Sequence, residues 1–349
     1  MKTGKKGETA IIPRPKDCQF YEGRFELLQK TPIVPAQGSA SCKEAPFLSS
    51  LLEKGTGVKC LVVSASRSRR IELQIVHSLP GVEDKEESYM ILVTPDMVTL
   101  QATTDRGLFY ACQSLLDLVK RDGSGWIIPS CEVHDWPDFP YRGFLADPAR
   151  YFFSLDRLKW DVDNLARNKY NFFHLHFSDS ESFTLPTRRY PKLNVPPEGP
   201  HGVYTQSEIR ELCRYAADRK IEIIPEIELP GHATYMIRQY PELKCKVAGG
   251  KVSEWAICIG AESTYEFLEN LLDEIAPLLP GRFFHVGTDE IEFKEPAHKP
   301  PVFVSWRECA ECHSRMEKEG LKNYRELFYY FLRRVHDILA KHGKRMMMW

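Results

Sequence analysis

The 349-residue sequence lacks any apolar run near the roughly 20 residues that a membrane-spanning helix needs, so a membrane span is not expected. It also lacks a surplus of one charge. Lys plus Arg is 47, Asp plus Glu is 48, and the formal net charge is -1, which removes the basic footprint of a nucleic-acid binder. The opening stretch MKTGKKGETAIIPRPKD is charged but has no apolar core of a secretory signal, so a cytoplasmic location is expected. No HExxH pair, no glycine-rich phosphate turn and no nucleophile motif occurs, and no metal or cofactor is expected. The ten cysteines, Cys18, Cys42, Cys60, Cys112, Cys131, Cys213, Cys245, Cys258, Cys309 and Cys312, have no framework spacing and read as reduced thiols. Cys309-Ala-Glu-Cys312-His313 matches a haem-attachment pattern, but no second haem ligand is in view. Nor does a second CxxC pair follow to complete a zinc site. A plain surface loop is the expectation there.

What is present is the composition of an ordinary globular protein, 43% hydrophobic and 27% charged, long enough for two domains. Residues 1–138 read as a small α+β domain. Ile71-Glu-Leu-Gln-Ile75, Tyr89-Met-Ile-Leu-Val93 and Met97-Val-Thr-Leu-Gln-Ala102 alternate as strands, and a helix follows with Leu108, Phe109, Cys112, Leu115, Leu116 and Val119 as its apolar face. Asp135-Trp-Pro-Asp-Phe-Pro140 forms a stiff junction.

From residue 139 to residue 349 strands and helices alternate regularly. Strands are expected at 141–147, 172–177, 221–226, 283–286 and from 344. Helices are expected at 156–168, 207–219 (capped by Ser207), 265–279 and 324–341. Four strand–helix units and the start of a fifth, with apolar strands, argue for a parallel (β/α)₈ TIM barrel, incomplete in this chain and ending near its fifth strand. Chemistry in such a barrel sits at the C-terminal strand ends. There the sequence places Asp147 and Arg150, then Asp179 and Glu181, then Glu226, Glu228 and His232, then Asp289 and Glu290, and finally Trp349. Acids, a histidine and an aromatic at one rim suit a sugar: carboxylates to move protons, an aromatic face for a pyranose. Each has a plainer reading. Asp147 and Arg150 read equally as a structural ion pair, Arg142 as an outer salt bridge, and His174 and His176 as buried hydrogen-bonded core residues.

His285-Val-Gly-Thr-Asp-Glu290 resembles the H-x-G-x-D-E signature of family 20 glycoside hydrolases, the β-N-acetylhexosaminidases. Tyr141-Arg-Gly-Phe-Leu-Ala-Asp-Pro-Ala-Arg-Tyr-Phe-Phe153, Asn171-Phe-Phe-His-Leu-His-Phe-Ser-Asp179 and Ile224-Pro-Glu-Ile-Glu-Leu-Pro-Gly-His232 are similar to its first three strand motifs. The resemblance implies Glu290 as general acid/base and Asp289 as the carboxylate orienting the substrate's 2-acetamido group. It implies Asp179 and His232 as a pair supporting the acid, Arg142 as the arginine on the sugar's 3- and 4-hydroxyls, and Trp349 in the wall of the acetamido pocket. Thr288 and Ser180-Glu-Ser-Phe183 depart from the commoner residues of the family.

Most retaining glycosidases set two carboxylates about 5 Å apart on opposite sides of the sugar. Consecutive residues approach from nearly one side, so Asp289 and Glu290 suit the substrate-assisted exception, in which the acetamido oxygen attacks the anomeric carbon and gives an oxazolinium intermediate. Glu290 then has to hold a proton at working pH, which calls for partial burial beside Asp289. The expected activity is release of terminal β-linked N-acetylhexosamine from oligosaccharides or glycans. A disaccharide-releasing, lacto-N-biosidase-like relative and a non-catalytic carbohydrate-binding fragment are the alternatives. Composition sets no oligomeric state.

Overall fold

The computed structural model of the chain describes residues 5–6, 9–35, 43–83, 85–247, 252–291 and 303–349; Cys42 lies outside them. The chain forms two compact units, residues 1–142 with Ala166–Lys169, and residues 143–165 with 170–349.

The first unit is built on a nine-stranded mixed sheet. Its two longest strands, Asp17–Leu27 and Gly125–Asp135, pair antiparallel. Tyr89–Val93 and Met97–Ala102 pair antiparallel beside them, with the bounds expected from their alternation. The helix Asp105–Leu118 starts where Thr104 accepts a hydrogen bond from the Gly107 amide at 3.1 Å. A side chain at Gly107 would lie 2.4 Å from the Ser88 carbonyl, so glycine lets this helix lie close on the strand. Phe25, Ile71, Ile91, Leu100, Leu108, Leu115 and Ile128 are fully buried between the layers. Buried Lys169 donates to Asp135 at 3.0 Å and to the Tyr89 hydroxyl at 2.8 Å.

The second unit is a sheet of five parallel strands in chain order. These are β1 (Gly143–Ala146), β2 (Phe172–His176), β3 (Glu222–Glu226), β4 (Phe283–His285) and β5 (Arg345–Met347). Helices Leu155–Arg167, Gln206–Ala217, Glu262–Ile275 and Tyr324–Lys341 connect them. Five parallel strands in sequential order, joined by helices, are the first five strands of a TIM barrel. The apolar strands are buried as such a barrel requires: Phe173, Leu175, Ile224 and Phe284 are solvent-free.

Two expectations are corrected. Helix Gln206–Ala217 is capped by Thr205, not Ser207; Thr205 and Glu208 form a reciprocal capping box. The segment from Cys309 is not a surface loop. Ala310–Glu319 is a helix, and Cys309 and Cys312 are fully buried. Its polar residues belong to a helical face: Arg315 reaches the Gly260 carbonyl at 3.2 Å and pairs with Glu262 and Glu319. No described helix is long and apolar enough to cross a membrane.

Replacing Lys169 with Met leaves the carboxylate of Asp135 buried without its cation. Chemical denaturation should show a loss of about 3–5 kcal/mol, with Lys169→Met/Asp135→Asn recovering part of it. A loss below about 1 kcal/mol would show that the pair is not held as described.

Candidate active site

The strand register builds the site. His176 of β2 lies opposite Glu226 of β3, and Glu226 lies opposite His285 of β4, so three neighbouring strands bring these side chains to one level. His174, two residues before His176, shares its face. Glu226 is wholly buried. Its carboxylate is approached by His176 Nδ1 at 2.7 Å, His285 Nδ1 at 2.8 Å and His174 Nε2 at 3.0 Å, and it accepts the Trp349 indole N–H at 2.8 Å. Burial alone would raise its pKa. The three imidazoles outweigh that penalty and hold Glu226 well below the ordinary carboxylate range.

A chain of contacts runs outward from this anion. His176 Nε2 lies 2.8 Å from Asp179 Oδ2. Asp179 Oδ1 lies 3.1 Å from His232 Nδ1. His232 Nε2 is 3.6 Å from both Asp289 Oδ2 and Glu290 Oε2. Burial opposes a charge on His176, yet its hydrogen bonds to Asp179 and Glu226 raise its pKa to about 10, so this imidazole is cationic at neutral pH. Asp179 is pulled the other way. Burial would raise it, but His176 and His232 hold it far below the usual carboxylate value. Burial disfavours the cationic form of His232, and the hydrogen bond to Asp179 overcomes this and raises its pKa. The signs therefore alternate along the chain: anion, cation, anion, histidine, acid pair.

The acid pair sits on an unusual turn. Gly287, Thr288 and Glu290 have φ of 66°, 85° and 55°, a left-handed run that is costly at the β-branched Thr288. Gly287 has no alternative, because a Cβ there would lie 1.9 Å from Glu228 Oε2. This turn carries the chain off the end of β4 and presents Glu290 outward. Its side chain is 71% exposed, so the described residues do not supply the partial burial expected for the acid. Asp289 is more enclosed, at 38%. Glu228 is buried with neither carboxylate oxygen hydrogen-bonded among the described residues. Burial first, then the negative charges of Glu226 and Asp289, push its pKa up to about 10, so it is a neutral acid at pH 7.

Of the residues singled out from sequence, Asp179, His232, Asp289, Glu290 and Trp349 come together. The Trp349 amide donates to Gly287 at 2.9 Å, and its ring stacks on His174 with centroids 5.6 Å apart. Arg142 belongs to the first unit, where it pairs with Glu87 and donates to the carbonyls of Lys169 and Phe139, each at 2.7 Å. The arginine at the site is Arg150, which reaches Asp179 Oδ2 and Asp147 Oδ2, each at 2.7 Å, and lies 3.8 Å from Glu181. The ion pair foreseen for Asp147 and Arg150 thus exists and extends into the cluster. The sequence alone reads His176 as a buried core residue and places Glu226 and Glu228 at a strand end without a role of their own. The available signal was two histidines two apart on a strand next to one that ends in glutamates. Trp255 is a further wall residue, its ring edge-on to His232 at 4.9 Å.

The glycosyl hydrolase family 20 catalytic domain matches residues 139–349, and domain 2 of the same family matches residues 8–136. The chain belongs to glycosyl hydrolase family 20. It is 33% identical to a beta-hexosaminidase of Porphyromonas gingivalis over 97% of this chain and 45% of that protein. With a beta-hexosaminidase of Vibrio furnissii the identity is 32%, over 97% and 56%. Among solved structures, beta-N-acetylhexosaminidase from Bacteroides fragilis superposes with a TM-score of 0.83 at 30% identity, covering 98% of this chain and 66% of that one. The exo beta-N-acetylglucosaminidase of Vibrio harveyi in complex with N-acetylglucosamine gives 0.84 at 27%, covering 100% and 56%. The chain spans about half the length of the two beta-hexosaminidases of Porphyromonas gingivalis and Vibrio furnissii.

The proton on Glu228 has a consequence for stability. A carboxyl whose folded pKa is raised from 4.5 to about 10 contributes stability that is full below about pH 4.5 and is lost progressively as pH rises towards 10. Between pH 5 and 8 the wild type should therefore lose stability relative to Glu228→Gln, with a slope up to about 1.4 kcal/mol per pH unit. Urea denaturation across that range measures the difference. Parallel curves would mean that Glu228 is already ionised.

Proposed function

We propose that these residues form the acid/base half of a site that releases terminal β-linked N-acetylhexosamine from oligosaccharides or glycans with retention of configuration. The carrying observation is that Asp289 and Glu290 are consecutive and share one histidine, His232, at 3.6 Å. Two consecutive acids approach a sugar from one side and are poorly placed to act as facing acid and nucleophile, which favours the substrate's own acetamido oxygen. In the first step that oxygen attacks the anomeric carbon while the bond to the leaving oxygen breaks, and Glu290 passes its proton to the leaving group. Asp289 accepts the amide N–H and balances the positive charge of the oxazolinium. In the second step Glu290 takes a proton from water as that water attacks the anomeric carbon and reopens the ring.

The alternating chain behind the pair supplies orientation. Asp179, neutralised from behind by His176 and from the side by Arg150, holds Nδ1 of His232 and leaves Nε2 facing the acids. A proton on Nε2 stabilises Glu290 once it has become a carboxylate. Arg150, half-exposed at the rim, replaces Arg142 as the proposed partner of the sugar hydroxyls. Trp349, whose ring packs against His174 and His285, offers an aromatic face on which the acetamido methyl would pack.

Aryl β-N-acetylglucosaminide and β-N-acetylgalactosaminide should be cleaved and the matching glucoside should not; equal cleavage of the glucoside would overturn substrate assistance. Glu290→Gln should lower kcat about 10²–10⁴-fold on poor leaving groups and far less on activated aryl groups. Arg150→Ala should cost about tenfold to a hundredfold in kcat/KM, expressed mainly in KM, while Arg142→Ala should leave kcat/KM of the folded fraction near wild type. The reverse order would restore Arg142 as the sugar-binding arginine.

A further inference from the structure

Four of the cysteines that the sequence scatters over 68 positions converge at one point. The sulfurs of Cys245, Cys258, Cys309 and Cys312 all lie within 4.8 Å of one another, and all four residues are buried. Cys258 Sγ is 3.6 Å from Cys309 Sγ and 3.8 Å from Cys312 Sγ. We propose that this cluster is a structural zinc site in which four thiolates hold the ion and clamp the loop after β3 to the segment after β4.

The distances decide between the chemistries open to four thiols. A disulfide needs sulfurs about 2.05 Å apart. At a tetrahedral ion with Zn–S bonds of about 2.3 Å, neighbouring sulfurs stand roughly 3.75 Å apart. The separations of 3.6 and 3.8 Å bracket that value. Four buried thiols without a metal would be weak hydrogen-bonding groups gathered for no packing advantage, whereas a set of only thiolates is the donor set that selects zinc among the common divalent ions. The pairing also has the form of a zinc knuckle. Cys309 and Cys312 flank the first turn of helix Ala310–Glu319, and Cys245 and Cys258 supply the other two ligands from a separate loop. Binding is a ligand exchange with no change of oxidation state: each thiol that ligates releases its proton to solvent.

The backbone around the cluster is shaped for this closure. At Gly260 a Cβ would lie 2.4 Å from Cys312 Cα, so only glycine lets the two segments meet. Fully buried Trp306 donates to the Ile257 carbonyl at 2.9 Å, and the Ser253 amide donates to Ser305 Oγ at 2.8 Å. The clamped loop then touches the catalytic rim. The Ile257 amide donates to the Pro230 carbonyl and the Ala233 amide to the Trp255 carbonyl, each at 2.9 Å, on either side of His232. A metal here would hold His232 indirectly, as a positioning element outside the reaction.

The chain, purified without chelator and without an affinity metal, should carry one zinc per molecule by mass spectrometry of metals. Titration with an organomercurial should release that zinc in step with modification of four thiols. Cobalt exchanged into the wild-type protein should give the sulfur-to-metal charge-transfer band and intense visible bands of a tetrahedral tetrathiolate site. Cys309→Ser and Cys312→Ser should lose the zinc and the cobalt spectrum. Should they fail to fold, the wild-type titration and spectrum alone decide. Absence of stoichiometric metal, iron in place of zinc, a cobalt spectrum of nitrogen and oxygen ligands, or a disulfide between any two of the four would each overturn the assignment. The metal readouts are independent of glycosidase activity, so the proposal stands or falls apart from the proposed function.

Discussion

A carboxylate with no access to water has to be neutralised by its neighbours, and Glu226 is such a group at the centre of the barrel strands. Its charge calls for donors on both flanking strands, and β2 and β4 each supply histidine. Because His176 answers Glu226 with one nitrogen, its other nitrogen is committed to Asp179, and Asp179 in turn fixes His232. Removing the central carboxylate would leave cationic His176 buried with one partner fewer, a change felt at every later member of the chain. The site is thus organised from the core outward.

The rim solves a different problem. An acid pair at a strand end must be turned towards a substrate without moving the buried groups below it. The left-handed conformations of Gly287, Thr288 and Glu290 do this over a distance of one turn, and a Cβ at Gly287 would collide with the Glu228 carboxyl. Glu228 tolerates that crowding because burial and two neighbouring anions keep it neutral. Strain and a buried, neutral carboxyl are both concentrated where chemistry is proposed, as expected when stability is given up locally for function.

Much of this was legible from the residues. The strand–helix alternation after residue 139 fixed the fold class, because parallel barrel strands are apolar throughout and their polar residues collect at the ends. Strands 89–93 and 97–102 and helix 324–341 appear with the expected bounds, since their periodicity is unbroken. Long-range pairing was not legible. Nothing local in His174-Leu-His176 says that Glu226 will stand in register with it, and two histidines inside a strand read as core. Arg142 and Arg150 lie in one motif eight residues apart; only the three-dimensional course of β1 separates the arginine that pairs with Glu87 from the one that faces Asp179. The cysteine cluster joins residues up to 67 positions apart, and spacing along a chain carries no record of such closure.

The central claim is that a buried anion keeps His176 cationic through neutral pH and so orients everything beyond it. The direct measurement is the ¹⁵N chemical shift of the His176 ring nitrogens as a function of pH. The account predicts the doubly protonated pattern from pH 5 through pH 8, with titration near 10. A ring that loses its proton near the ordinary histidine value of about 6.5 would contradict it.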